Sequence, residues 1–241
     1  MTMHISNMND KVKYHEPFSP VIMESKVPDK FLKLINDVGD EVLNDEVKSR
    51  EWDWSGQLVG KVHKEVRIPI TKKEDSAYCL SIIRNGCMDY LSKLIEKNRA
   101  HIDLFTLHSE THKFKHGDLT EQNIRIDQTW IVSQYKGEYN PWHKHSGHLS
   151  GVIYLKIPKD MDKHFEKEME DHYPVSGMIQ FTYGESANLR SDTITFKPEV
   201  GQMLIFPSWL KHSVYPFYCD GERRSMSFNV YYQTLQGQGI K

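Results

Sequence analysis

The stretch NPWHKHSGHLSGVIYLKIP, residues 140–158, sets three histidines beside two glycines and then runs into an apolar, β-branched segment. Its second half has the composition of a β-strand. If the first half is extended too, His143 and His145 project to one face, because strand side chains alternate with a period of two. Two imidazoles so placed can chelate one ion without rearrangement of the chain. His148 is out of phase with that face and reads as a polar turn residue. The chain holds 13 histidines, so HxH spacing carries little weight by itself, and the pair has to be judged with what surrounds it.

The same β-rich texture extends in both directions from about Asp127. The runs TWIVSQYKG, LSGVIYLKIP, GMIQFTYGE, DTITFKP, GQMLIFPS, HSVYPF and RRSMSFNVYYQ are short and separated by Gly, Pro and Asn. Such a series predicts an antiparallel sandwich or barrel of jelly-roll type. The charged stretch KDMDKHFEKEMEDHYP interrupts it as an exposed loop or short helix, with His164 and His172 read as solvated surface.

The first half of the chain is different. PDKFLKLINDVGDEVL places Phe31, Leu32, Ile35, Val38 and Val42 on one helical face after a Pro-Asp start. SAYCLSIIRNGCMDYLSKLIEKN repeats the pattern with Tyr78, Ile82, Tyr90, Leu91, Leu94 and Ile95, although Gly86 weakens it midway. WDWSGQLVGKVHKEVRIPI, between them, reads as a turn-bounded strand or irregular segment. His108, His112 and His116 would align if LHSETHKFKH were helical, but their Lys and Glu neighbours and the lack of an HExxH arrangement favour a solvated face.

Composition sets the outer limits. With 31 basic and 33 acidic side chains in 241 residues, there is no basic field to suggest nucleic acid or an anionic membrane. No apolar run approaches the length of a spanning helix, and the polar N-terminus lacks a signal-peptide core. A cytoplasmic protein is therefore expected. Cys79, Cys87 and Cys219 form no CxxC pair and are expected to be reduced and structural.

A redox metal needs a third ligand and open positions. His212 in FPSWLKHSVYPF is the candidate, at the start of a strand expected on the far side of the sandwich. Eleven positions later, RRSMSFN alternates so that Arg223, Ser225, Ser227 and Asn229 share one face while Arg224, Met226 and Phe228 share the other. A guanidinium fork with a hydroxyl beside it suits a carboxylate. Trp142, Gln134, Tyr135 and Asn140 flank the expected mouth.

These residues resemble the 2-oxoglutarate- and Fe(II)-dependent oxygenases, in particular the prolyl-4-hydroxylase-like group and its relatives in bacteria and tailed phages. The resemblance spans roughly Asp127 to Gln233. It implies a double-stranded β-helix, a cupin-like jelly roll, with the N-terminal helices packed outside. It implies Fe(II) held by His143, His145 and His212. It further implies 2-oxoglutarate held by Arg223, Ser225 and Tyr154, the last matching a tyrosine of prolyl-hydroxylase-like members. The implied reaction hydroxylates an unactivated C–H bond with O2 and releases succinate and CO2. One departure stands out: His145 occupies the position where that family usually has Asp or Glu.

The expected organisation is an N-terminal bracing segment at 1–126, an oxygenase core at 127–233 forming one structural domain with it, and a tail at 234–241. The substrate is a small molecule or a peptidyl group, and a homodimer is possible. Two alternatives stay open. One is a cupin-type dioxygenase without 2-oxoglutarate, for which Gly137, Gly201, Pro207 and His212 fit partial motifs. However, Leu149 and Ser150 stand where that motif has glutamate. The other is a non-catalytic metal-binding β-sandwich.

Overall fold

Ten strands form two antiparallel sheets in the computed structural model, which describes residues 20–57, 59–96, 122, 124–159, 161 and 175–232. In chain order these are β1 (Met23–Lys26), β2 (Lys64–Arg67), β3 (Ile124–Gln134), β4 (Asn140–His143) and β5 (Leu149–Lys156). They continue with β6 (Ile179–Thr182), β7 (Thr193–Phe196), β8 (Gln202–Pro207), β9 (Lys211–Val214) and β10 (Arg223–Tyr232). One sheet has the order β1-β8-β5-β10-β3-β2 and the other β4-β9-β6-β7. From β3 to β10 the chain winds between the two sheets, which is the jelly-roll winding of a double-stranded β-helix.

The alternation of β5 shows how sequence becomes layers. Leu149, Ile153 and Leu155 join a core shared with the helices, while Val152 and Tyr154 point the other way into the core between the sheets. Both faces are buried, which is why GVIYL is an unbroken apolar run without the usual polar alternation. β8 is arranged likewise, with Met203 and Ile205 on the helical side and Leu204 and Phe206 between the sheets.

The helices α1 (Asp29–Leu43), α2 (Glu46–Glu51) and α3 (Lys73–Glu96) come from the N-terminal half. α1 buries Phe31, Ile35, Gly39 and Val42, on the spacing the sequence predicts. α2 was not expected; Asp45 caps it, its side chain accepting from the Val47 and Lys48 amides at 2.9 and 3.1 Å. α3 runs straight through Gly86, where a β-carbon would lie 2.7 Å from Met203 Cε and 3.0 Å from Ile205 Cδ1. The glycine that weakened the helical reading thus marks a close approach of α3 to the sheet. Cys79 and Cys87 lie in this core and Cys219 is buried elsewhere, none of them in a disulfide.

An ionic cluster ties α1 to the sheet. Arg224 donates to Glu222 at 2.7 Å and pairs with Asp40 of α1 at 2.8 Å, and Lys156 reaches the same Asp40 oxygen at 2.8 Å. β1 and β2, also from the N-terminal half, extend the six-stranded sheet at opposite edges. Residues 1–19, His108, His112, His116, His164, His172 and the tail from 233 lie outside the described residues. Among the described residues no helix is long and apolar enough to cross a membrane.

Candidate functional site

The two strands carrying His143 and His212 are immediate neighbours. β4 pairs with β9 so that these two residues face each other in register. This corrects the expectation that His212 reaches across from the far side of the sandwich: both belong to the four-stranded sheet. A second correction concerns His145, which lies just past the end of β4 and not within it. Its position is fixed by its own backbone amide, which donates to the Ser208 carbonyl at 3.0 Å. Gly147 makes the return into β5 possible, with φ at +90° and a β-carbon position only 2.8 Å from the Val230 carbonyl oxygen. His148 is held as a brace, its Nδ1 accepting from the Tyr232 amide at 2.9 Å.

One ring nitrogen from each of His143, His145 and His212 falls within 4.8 Å of the others. A carbonyl can only accept, so the contacts of His143 Nδ1 to Pro141 O (2.7 Å) and His212 Nδ1 to Leu210 O (3.0 Å) fix the proton on Nδ1. Each neutral ring then presents a bare Nε2, the arrangement that orients metal-binding histidines. His145 Nε2 lies 3.2 Å from His212 Nε2. Burial, reinforced by the neighbouring imidazoles, pushes His145 down to about 3 and His212 well below the usual histidine value; burial likewise lowers His143. Three rings that resist protonation and bring one nitrogen each to the same place suit a divalent ion, and imidazole suits iron.

The same cavity contains a buried cation. The open room of the cavity is about 40 Å³, and it is lined by the three histidines together with Tyr154, Arg223, Ser225, Gln134 and Ile179 among others. Arg223 is 2% exposed. Its guanidinium donates to the Gly177 carbonyl at 3.2 Å and to Gln134 Oε1 at 2.5 Å, and among the described residues no carboxylate pairs with it. Tyr154 is fully buried, and its ring centroid lies 5.1 Å from the guanidinium carbon. Burial raises this tyrosine's pKa, against the pull of the Arg223 charge and of its hydrogen bonding to the hydroxyl. A buried cation with no carboxylate partner is costly, by several kcal/mol in order of magnitude. A carboxylate entering the cavity would compensate it.

Every residue singled out in the sequence as a metal or carboxylate contact therefore lines one cavity. Gln134 and Asn140 line it too, joined by a 3.2 Å hydrogen bond. Tyr135 and Trp142 do not: they are 41% and 47% exposed at the surface. Ser227, placed by alternation on the Arg223 face of β10, lines the cavity as well. Sequence reasoning missed Glu65 and Trp130; Glu65 reaches the cavity only because β2 pairs with β3 in one particular register.

Residues 128–229 match the family model described as "Putative 2OG-Fe(II) oxygenase". None of the curated proteins compared matches the sequence. Among solved structures, a Burkholderia pseudomallei oxidoreductase of the 2OG-Fe(II) oxygenase family is similar at 16% identity and a TM-score of 0.34, over 45% of each chain. The chain thus spans less than half the length of that structure. A Pseudomonas putida prolyl-4-hydroxylase is similar at 14% identity and a TM-score of 0.48, over 88% of this chain and 92% of that one. The viral collagen prolyl hydroxylase of Paramecium Bursaria Chlorella virus-1 is similar at 12% identity and a TM-score of 0.47, over 87% and 94%.

Proposed function

We propose, from the match of residues 128–229 to the 2OG-Fe(II) oxygenase family model, that the chain is a 2-oxoglutarate- and Fe(II)-dependent dioxygenase hydroxylating an unactivated C–H bond. His143, His145 and His212 hold the iron through Nε2 atoms. Arg223 and Tyr154 hold the distal carboxylate of 2-oxoglutarate, with Ser225 beside them on the same face of β10. The observation that carries this reading is the sealed Arg223, without a carboxylate partner among the described residues and with Tyr154 beside it, in the cavity of the three histidines. A cupin without the keto acid, or a simple metal-binding module, has no use for that pair.

When bound, iron and 2-oxoglutarate supply the oxidising chemistry: O2 delivers one oxygen atom to the substrate C–H bond and the other to the keto acid, which leaves as succinate and CO2. The chain's own residues bind, orient and keep water out. The Pro141 and Leu210 carbonyls hold two of the imidazoles in the ligating tautomer. Gln134 accepts from Arg223 and leaves the rest of the guanidinium fork to meet a carboxylate. Phe206, Val152 and Ile179 wall the cavity with apolar surface, where fixed charges act more strongly than in water. His145 stands where the family usually has a carboxylate, so the ligand set carries one negative charge fewer. A reducing cytoplasmic setting fits both ferrous iron and three cysteines outside any disulfide.

Anaerobic titration with Fe(II) and then 2-oxoglutarate tests the reading. A weak visible charge-transfer band is expected only when both are present. Arg223→Ala should weaken 2-oxoglutarate binding at least tenfold while leaving iron binding unchanged. A spectrum indifferent to the keto acid would return the cupin or the binding module to favour.

A further inference from the structure

The cavity holds one more ionisable group that neither the histidines nor Arg223 uses. Glu65 points inward from β2, at the open edge of the six-stranded sheet beside β3, in register with Val132. It is 2% exposed, and its Oε1 is buried with no hydrogen-bond partner. Glu65 is the only carboxyl lining the cavity among the described residues, and Trp130, two residues from its register partner Val132 on β3, lines the same cavity. No lysine lines the cavity, and Arg223, its only arginine, is engaged by Gln134 and Gly177. The nearest charge acting on Glu65 is that of another acid, Asp53; burial first and this like charge second raise the Glu65 carboxyl to about 8.

A buried carboxyl without a partner lowers stability, and such a group calls for an explanation outside the folded protein's own contacts. Its chemistry narrows the choice. Glu65 is neutral while the cavity is empty and ionises once a cation lies against it, because an adjacent positive charge favours the charged form; the resulting carboxylate accepts but does not donate. A protonated amine or guanidinium has the complementary properties, being positive and donor-only, and an indole face adds attraction for it.

We propose that Glu65, in the cavity that Trp130 also lines, is the substrate-recognition point of this cavity and selects substrates bearing a basic nitrogen, a protonated amine or guanidinium. The proposal rests on the oxygenase reading for what happens to that substrate, but the binding site itself does not need turnover. The cationic group would dock at the edge of β2, and the carbon to be hydroxylated would be presented from there toward the three histidines.

Ligand-observed NMR on the full chain loaded with redox-silent Zn(II) and 2-oxoglutarate tests this, with n-butylammonium, n-butylguanidinium, 1-butanol and butyrate as probes. The two cations should bind at least tenfold more tightly than butanol, and butyrate should bind least. Glu65→Gln should remove at least tenfold of the cation affinity and leave butanol unchanged. Glu65→Met, of similar length and uncharged, should do the same. Both variants should unfold at or above the wild-type temperature, because no hydrogen bond is lost. Equal binding of cations and alcohol by the wild type, or undiminished cation binding by both variants, overturns the proposal. A fall in unfolding temperature in both variants overturns it too, since it would make Glu65 a structural residue. The 2-oxoglutarate band of the Fe(II)-loaded protein separates the two readings. Glu65-dependent cation selection without a band keeps the cation site and rejects the oxygenase; a band without selection does the reverse.

Discussion

Arg223 and Arg224 are adjacent on β10 and lead opposite lives. Arg224 faces α1 and is surrounded by Glu222 and Asp40; Arg223 faces the cavity, equally buried, with no acid partner among the described residues. Their separation onto two faces was legible, because alternation is a local property of a strand. Which of the two kept its charge uncompensated was not legible, because Asp40 lies far away in the sequence. Glu65 is the acidic counterpart of Arg223 and makes a prediction of its own. Its carboxyl is raised to about 8, by burial first and Asp53 second, against about 4.3 in an unfolded chain. Between those values the folded state holds a proton that the unfolded state has released, so wild-type stability should fall as pH rises through roughly 4.5 to 8. The slope from this one group approaches about 1.4 kcal/mol per pH unit. Urea unfolding of wild type and Glu65→Gln across that window should show the difference between them growing with pH. A constant difference would mean that Glu65 ionises normally.

At the scale of elements, β5 is the central example. It is paired with β8 and β10 and buried on both faces, and within it Gly151 is the narrow point. A β-carbon there would lie 2.2 Å from Phe228 Cζ and 2.8 Å from the Leu204 carbonyl oxygen. Neither can retreat easily, since Phe228 is completely buried and Leu204 is held in the sheet. Gly151→Ala should therefore cost about 3 kcal/mol, at the upper end for overpacking a core, as measured by the urea midpoint. Gly86→Ala meets the flexible tip of Met203 as its nearest contact and should cost clearly less. The elements themselves were largely readable: α1, α3 and most strands of the β-rich half follow hydrophobic periodicity. α2 and β1 were missed because six- and four-residue segments carry too little pattern. The end of β4 before His145 was missed because a strand ends where its partner stops pairing, which its own residues do not encode.

At the scale of the molecule, the two sheets bring residues 143, 145, 154, 212 and 223 around one cavity. Ligands that bind only this folded arrangement should stabilise it. Fe(II) at a hundredfold excess over its dissociation constant should add about 2.7 kcal/mol. For a chain of this size that corresponds to a rise of roughly 5–10 °C in Tm. Adding 2-oxoglutarate should raise Tm further in the metal-loaded wild type, but not in Arg223→Ala, which should keep the increment from iron. Scanning calorimetry under nitrogen measures both. An equal 2-oxoglutarate increment in the variant would place the keto acid elsewhere.

The sequence alone determined the jelly-roll class, the two long helices outside it and the residue types of the metal and carboxylate sites, because strand alternation and helical periodicity are local and a guanidinium or imidazole carries its chemistry wherever it sits. Tertiary structure alone decided that His143 and His212 are register partners in one sheet, that His145 is positioned by a loop, and that Arg223 is sealed without an acid. It alone brought Glu65 into the cavity as well. Each of these depends on strand pairing and burial, which are relations between distant segments and have no signature within a single one.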